Sequence, residues 1–239
     1  MSIAKSFIEQ SPLGKNLQFV YLKHERNRYL NMWKKKLFNH YNQPFRNRII
    51  NPFYRWKLKN RKISLLSNNC NGACILHDLG LRFDSPFVNL WLYPEDFIKY
   101  CEGIDHYQTC ELEFIDGWGG YQYPLARLDD ITIHFMHYHT EEEAKRKWIE
   151  RSKRINKENI FILLTERDGL NLEHMKRLNK LPYPKAILTH LPMPEIENTH
   201  YIRGFENEEQ CGILSEFSMT KYPGHKWYDD FNFVKWFNN

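Results

Sequence analysis

Short apolar runs that end in polar, turn-prone clusters recur along this chain, and they set its architecture. Ile63–Ser64–Leu65–Leu66 stops in Ser67–Asn68–Asn69–Cys70–Asn71–Gly72, the pattern of a buried strand bounded by a turn. Ala73–Cys74–Ile75–Leu76 then starts a helix. Phe87–Val88–Asn89–Leu90–Trp91 reads as a second strand. Pro94–Glu95–Asp96 opens a helix, with proline suited to the first turn and acids to the positive end of the dipole. Residues 111–115 predict a short, exposed strand, and Asp116–Gly117–Trp118–Gly119–Gly120 a loop. The alternation over 131–139 predicts a longer strand with Ile131, Ile133, Phe135, His137 and His139 on one face. Thr140 and Glu143 then form a capping box, and Ala144, Trp148 and Ile149 turn inward on the following helix. Residues 160–164 are another buried strand, ending in Thr165–Glu166–Arg167–Asp168–Gly169. Leu172, Met175 and Leu178 give the next helix its core face, and residues 186–189 form a last strand that ends at His190.

Strands alternating with helices in this rhythm imply right-handed crossovers. The expected fold class is α/β, with a mostly parallel, Rossmann-like sheet flanked by helices. It divides into residues 61–239, the α/β domain, and residues 1–60, a basic N-terminal helical extension. Ligands of open α/β sheets bind outside the carboxyl ends of the strands, so the clusters after residues 66, 164 and 189 mark the region to examine.

Charge changes this picture at one end. Residues 1–60 hold thirteen Lys and Arg against Glu9 and Glu25, whereas the remainder holds twenty-one basic and twenty-seven acidic residues. Residues 23–41 carry Tyr29, Leu30, Trp33, Leu37 and Phe38 at helical spacing, with Arg26, Arg28 and Lys34–Lys36 among them. Such a helix either lies on an anionic membrane surface or packs on the domain with a solvated basic face. Nucleic acid is a weaker candidate partner, because no recognised binding motif accompanies the basic and aromatic residues. No apolar run reaches the length of a membrane span, and Lys5 and Glu9 interrupt the pattern of a secretory signal. The expected location is the cytoplasm, with peripheral contact at the inner face of the membrane through the basic arm.

Five cysteines, Cys70, Cys74, Cys101, Cys110 and Cys211, form no regular framework, so free thiols are expected. Cys70, Cys74 and His77 invite a zinc reading, but the paired Cys-x-x-Cys knuckles are missing, and no metal is predicted. Glycine-rich phosphate loops, G-x-S-x-G elbows and H-E-x-x-H helices are also missing.

The motif order resembles a bacterial family of unknown function whose members are called exopolysaccharide or capsular polysaccharide biosynthesis proteins. The matching blocks begin with Ser67–Asn68–Asn69–Cys70, Ser85–Pro86–Phe87–Val88–Asn89–Leu90 and Asp96–Phe97. Asp130–Ile131, His137–Tyr138, Glu142–Glu143–Ala144, Trp148, Arg151 and Arg154–Ile155–Asn156 follow. Thr165–Glu166–Arg167–Asp168–Gly169 and Phe233–Val234–Lys235–Trp236 close the series. After the cysteine this chain has Asn71–Gly72–Ala73, where the family usually carries an aromatic and two glycines. The resemblance implies an α/β fold and glycan chemistry, and it supplies no catalytic residues.

The residues themselves supply candidates. Cys70 at a helix N-terminus with His137 as its proton acceptor would make a nucleophile, with Asp168 or Glu166 orienting the imidazole. Backbone N–H groups of Asn71 and Gly72, with the Asn69 amide, would hold an oxyanion. Equally, His137 alone can act as a base while Cys70 only packs. Asn68 and Asn69 are also favoured helix caps. Trp118 sits in a loop that is either a sugar-stacking lid or a plain glycine turn. Arg167 reads as a ligand contact or as the neighbour of the Asp168–Gly169 turn. His139 and His190 complete the set of substrate-binding candidates.

Three functions follow. The first is a transferase of surface-polysaccharide biosynthesis that acylates a sugar hydroxyl from an acyl-CoA donor. The second is a glycosyl- or phosphoryl-type transferase using a nucleotide-sugar donor. The third is a noncatalytic glycan-binding or assembly protein. All three expect a sugar or oligosaccharide partner.

Overall fold

The computed structural model of the chain describes residues 34–218 and 221–239. Of the basic helix expected over residues 23–41, the part before residue 34 lies outside these. From residue 34 the chain is helical to residue 45, passes through the π-helical turn Arg46–Ile50 and continues as Asn51–Lys57; together these form α1. Pro44, just before the π turn, has no N–H to donate to the helical ladder, and Pro52 stands in the first turn of the α-helical segment that follows.

The remaining helices are α2 (Asn71–Leu79), α3 (Pro94–Glu102), α4 (Ile104–Tyr107), α5 (Glu141–Ser152), α6 (Leu172–Asn179) and α7 (Phe233–Asn238). The strands are β1 (Ser64–Ser67), β2 (Leu112–Phe114), β3 (Leu125–Leu128), β4 (Ile131–His134), β5 (Ile160–Thr165), β6 (Lys185–Thr189) and β7 (Thr199–Tyr201). Four strands form a parallel sheet in the order β1-β5-β6-β7, and β2-β3-β4 form a small antiparallel sheet. The architecture is mixed α/β with a four-stranded parallel sheet flanked by helices.

Both faces of the parallel sheet are covered, which is why its strands read as continuous apolar runs. Ile160, Ile162 and Leu164 of β5 face one core, shared with Phe97, Ala144, Trp148 and the antiparallel sheet. Phe161 and Leu163 face the other, built with Ile75, Leu76 and Leu79 of α2 and Phe233 and Phe237 of α7. Gly72 lets α2 approach β1, because a Cβ there would stand 2.6 Å from the Ser67 Cβ.

Two expectations are corrected. The strand expected over 131–139 stops at His134 and belongs to the antiparallel sheet, so His137 and His139 lie beyond it. Phe135 and Tyr138 are buried by packing on Trp148 and one another rather than by strand pairing. Residues 87–91 form no strand; only Trp91 pairs, in an isolated antiparallel bridge to His134.

The inner side of α1 docks through polar groups. Arg46 is fully buried, with Nε 2.7 Å from Asp78 Oδ2 and Nη1 2.6 Å from Asp229 Oδ2. Lys226 Nζ lies 3.1 Å from the same Asp78 oxygen, and the Tyr228 hydroxyl also donates to it. Two buried cations thus face two buried carboxylates. Burial alone would raise the Asp78 pKa, but Arg46 and Lys226 hold it below its ordinary value. Among the described residues no helix is long and apolar enough to cross a membrane.

Candidate functional site

A cleft of about 540 Å³ opens at the carboxyl edge of the parallel sheet, where such sheets bind ligands. Asn69, Cys70 and Asn71 come from the β1–α2 junction, Arg167 and Asp168 from the end of β5, and Met136 and His137 from the segment after β4. Ile213 and Ser215 close one side. A second lobe of about 480 Å³ also includes Cys70 and His137 and reaches Cys74, His77 and Lys226.

The sequence candidates divide clearly. Cys70, His137, Asp168, Asn69, Asn71 and Arg167 meet in the cleft. His137 arrives there although its strand has ended: its N–H donates to the Asn89 carbonyl at 3.3 Å, which bends the segment back over the β1 end. Asp168 takes a positive φ of 57°, a conformation aspartate tolerates better than most residues. Its N–H donates to Gln210 Oε1 at 2.8 Å.

The other candidates do not line the cleft. Asn68 is buried and bonds β5 at two points: Nδ2 donates to Thr165 O (3.2 Å), and Thr165 N–H donates to Oδ1 (3.0 Å). Gly72 permits close packing, as above. Trp118 lies away from the cleft and donates from Nε1 to Glu141 Oε1 at 2.7 Å. His139 is exposed just before the Thr140 cap of α5. His190 is buried, with its N–H and Nδ1 at 2.8 and 2.7 Å from Glu166 Oε2. Glu166 therefore orients His190, not His137.

The Cys70 geometry does not make an activated nucleophile. Its thiol donates to the Leu90 carbonyl (3.9 Å) rather than to an imidazole. Burial, reinforced by Cys74, pushes its pKa up to about 11, so desolvation outweighs the helix dipole. One of the expected oxyanion donors is also engaged, since Asn71 N–H donates to Asn69 Oδ1 at 3.0 Å. Asn71 Nδ2 in turn donates to Thr165 Oγ1 at 3.1 Å.

Sequence reasoning did not single out the aromatic wall. Trp91 and Tyr123 line the cleft. Behind them the Trp91 indole stacks on the His134 imidazole with ring centroids 3.9 Å apart, and Tyr93, Tyr121 and Tyr123 stand edge-on around that imidazole. Burial among these rings lowers the His134 pKa to about 4. The one available signal was the Tyr121–Gln122–Tyr123 pair beside the glycine loop.

A metal would find ligands elsewhere. His106, Cys110 and Asp129 hold their ligand atoms within 4.8 Å of one another at the end of α4 and the β3–β4 turn. The imidazole already pairs with the Asp129 carboxylate at 2.7 Å. The cluster is largely exposed and lies outside both lobes of the cleft.

Fold and site together define a mixed α/β protein with a largely apolar, aromatic-walled cleft, set with a few polar groups, at the carboxyl edge of its parallel sheet. Residues 40–238 match the model of a domain of unknown function, DUF1919, and the chain belongs to that family. An uncharacterized protein of Haemophilus influenzae is 45% identical over 191 residues, which span 80% of this chain and 91% of that relative. Both descriptions name a lineage and no reaction, so the chemistry rests on the cleft.

Proposed function

We propose that this protein is a transferase of surface-polysaccharide biosynthesis that modifies a sugar hydroxyl held in the cleft, with His137 as the general base. The carrying observation is the meeting of His137, Asp168, Asn69 and Asn71 beside Trp91 and Tyr123. Aromatic rings offer apolar faces to the C–H faces of a sugar, while carboxamides and a carboxylate match its hydroxyls. Pockets that pair such walls with a few convergent polar groups are the usual form of a small-molecule site. The family resemblance carried by Ser67–Asn68–Asn69–Cys70 and the later blocks supports a glycan acceptor.

Direct transfer accounts for the state of Cys70. As the sugar oxygen attacks the acyl carbon of an acyl-CoA, the His137 imidazole takes the hydroxyl proton. The new C–O bond forms, the thioester C–S bond breaks, and the departing thiolate receives the proton from the imidazolium. Cys70 stays a neutral thiol throughout. Arg167 supplies the cation for an anionic donor, and the same cation favours the second reading, a nucleotide-sugar donor.

The test is a transfer assay with radiolabelled acyl-CoA and oligosaccharide acceptors. His137→Ala should cut the rate of acceptor labelling about 10²–10⁴-fold, and Cys70→Ala should retain most of it. Label fixed covalently on the protein and lost in Cys70→Ala would overturn direct transfer. Calorimetric binding of a nucleotide sugar, with none of acyl-CoA, would select the second donor.

A further inference from the structure

Helix α1 turns a row of large apolar side chains to solvent. Its inner face buries Asn42, Arg46 and Asn51 beside Ile50, and hydrogen bonds within the domain hold the three polar side chains, Asn51 Oδ1 alone among them lacking a partner. Asn42 Oδ1 accepts from Gly224 N–H at 2.6 Å, and Asn51 Nδ2 donates to Asp78 at 3.3 Å. Its outer face presents Leu37, Tyr41, Phe45, Ile49, Phe53 and Trp56, with Tyr41 68% and Trp56 77% exposed. These residues recur at intervals of four and finally three, so they form a continuous stripe. The π turn Arg46–Ile50 helps keep the stripe together, because its wider turn offsets the drift that a four-residue spacing has on an α-helix. A monomer gains nothing by hydrating six large apolar side chains in a row.

The charge pattern identifies the occupant. Residues 34–57 contain no Asp or Glu, and Lys34, Lys35, Lys36, Arg48 and Lys57 are exposed along the same helix. A second copy of the chain would bring these cations against their own kind, which disfavours self-association. A nucleic acid would answer the charge but leave Leu37 and Ile49 unused. We infer that α1 lies in the headgroup layer of an anionic membrane, its apolar stripe inserted and the exposed Lys34, Arg48 and Lys57 against lipid phosphates. Tyr and Trp are favoured at that interface, and a helix with aromatic and aliphatic residues on one face and Lys and Arg beside them is the form such binding takes.

Flotation of the full-length protein with vesicles tests this. The chain should float with phosphatidylglycerol-containing vesicles and stay down with pure phosphatidylcholine, and added salt should weaken the binding. Replacing Ile49, Phe53 and Trp56 together by Gln should reduce the bound fraction at least about tenfold, without changing the denaturation midpoint, since these side chains are exposed. Arg48→Gln with Lys57→Gln should reduce it less and flatten its salt dependence. Equal flotation of the apolar triple variant would overturn the inference. So would dimerisation in sedimentation that the triple variant abolishes, or oligonucleotide binding in fluorescence anisotropy with no vesicle binding.

Discussion

Polar side chains gather in two places in this protein, and the two gatherings differ in one respect. Around Asp78, buried groups saturate one another: Arg46 spans Asp78 and Asp229, Lys226 returns to Asp78, and Arg46 Nη1 also donates to the Gly224 carbonyl at 2.8 Å. At the sheet edge, His137 and Asp168 are exposed and turn into open volume beside the aromatic wall. Groups that have spent their bonding capacity inside the fold specify architecture. Groups with capacity left over, facing a cavity, are available to a ligand. Asn68 belongs with the first kind although it stands at a strand end, where position alone would place it with the second.

Removing part of the saturated set should cost most. Arg46→Met leaves Asp78 and Asp229 buried without their shared cation, and urea denaturation should show a loss of about 3–5 kcal/mol. A loss below 1 kcal/mol would erase the distinction between the two regions.

The aromatic wall gives the next effect through pH. The folded His134 pKa is about 4, below the ordinary value of about 6.5. Between those values the unfolded chain binds a proton that the folded chain does not, so stability falls as pH drops. The loss begins near pH 6.5 and is complete below about pH 4, reaching on the order of 3 kcal/mol. His134→Phe keeps a ring on Trp91 and should flatten that slope in denaturation midpoints taken from pH 7 to 4. Below about pH 4 the loss should continue in both proteins, because Asp78, held low by Arg46 and Lys226 against the effect of burial, then gains its proton.

Asn68→Ala should cost about 1–3 kcal/mol, by leaving the Thr165 N–H and C=O without their partner. His137→Ala and Asp168→Ala should change stability by less than about 0.5 kcal/mol, while His137→Ala lowers the transfer rate about 10²–10⁴-fold. This smallest change in stability is the sharpest test. A large loss of stability in either cleft variant would move that residue into the architectural set.

The parallel sheet was legible in sequence because β1, β5 and β6 are buried on both faces and appear as unbroken apolar runs. The Thr140 cap was legible because a hydroxyl three residues before an acid has one local use, and Thr140 Oγ1 indeed accepts from Glu143 N–H at 3.2 Å. The antiparallel sheet was harder. Past His134 only Phe135 of the expected face is buried, by tertiary packing on Trp148, and the period-two pattern read from sequence cannot distinguish such packing from strand pairing. β3 is only four residues long and follows Pro124. In the cleft, the Cys70–His137 convergence was readable as a meeting of chain segments, whereas the protonation of the thiol depends on burial by distant residues. Arg46 looked like one more cation of a basic arm, since its carboxylate partners lie 32 and 183 positions away.

The Asn68 carboxamide counterfeits a peptide unit. It supplies the donor and acceptor that β5 expects from a neighbouring main chain, while the true Asn68 carbonyl is free to accept from Leu92 N–H at 3.0 Å. The backbone can therefore peel off the sheet one step early without stranding Thr165. A single forged rung is what lets the two strands part company just before Asn69, Cys70 and Asn71, which line the cleft.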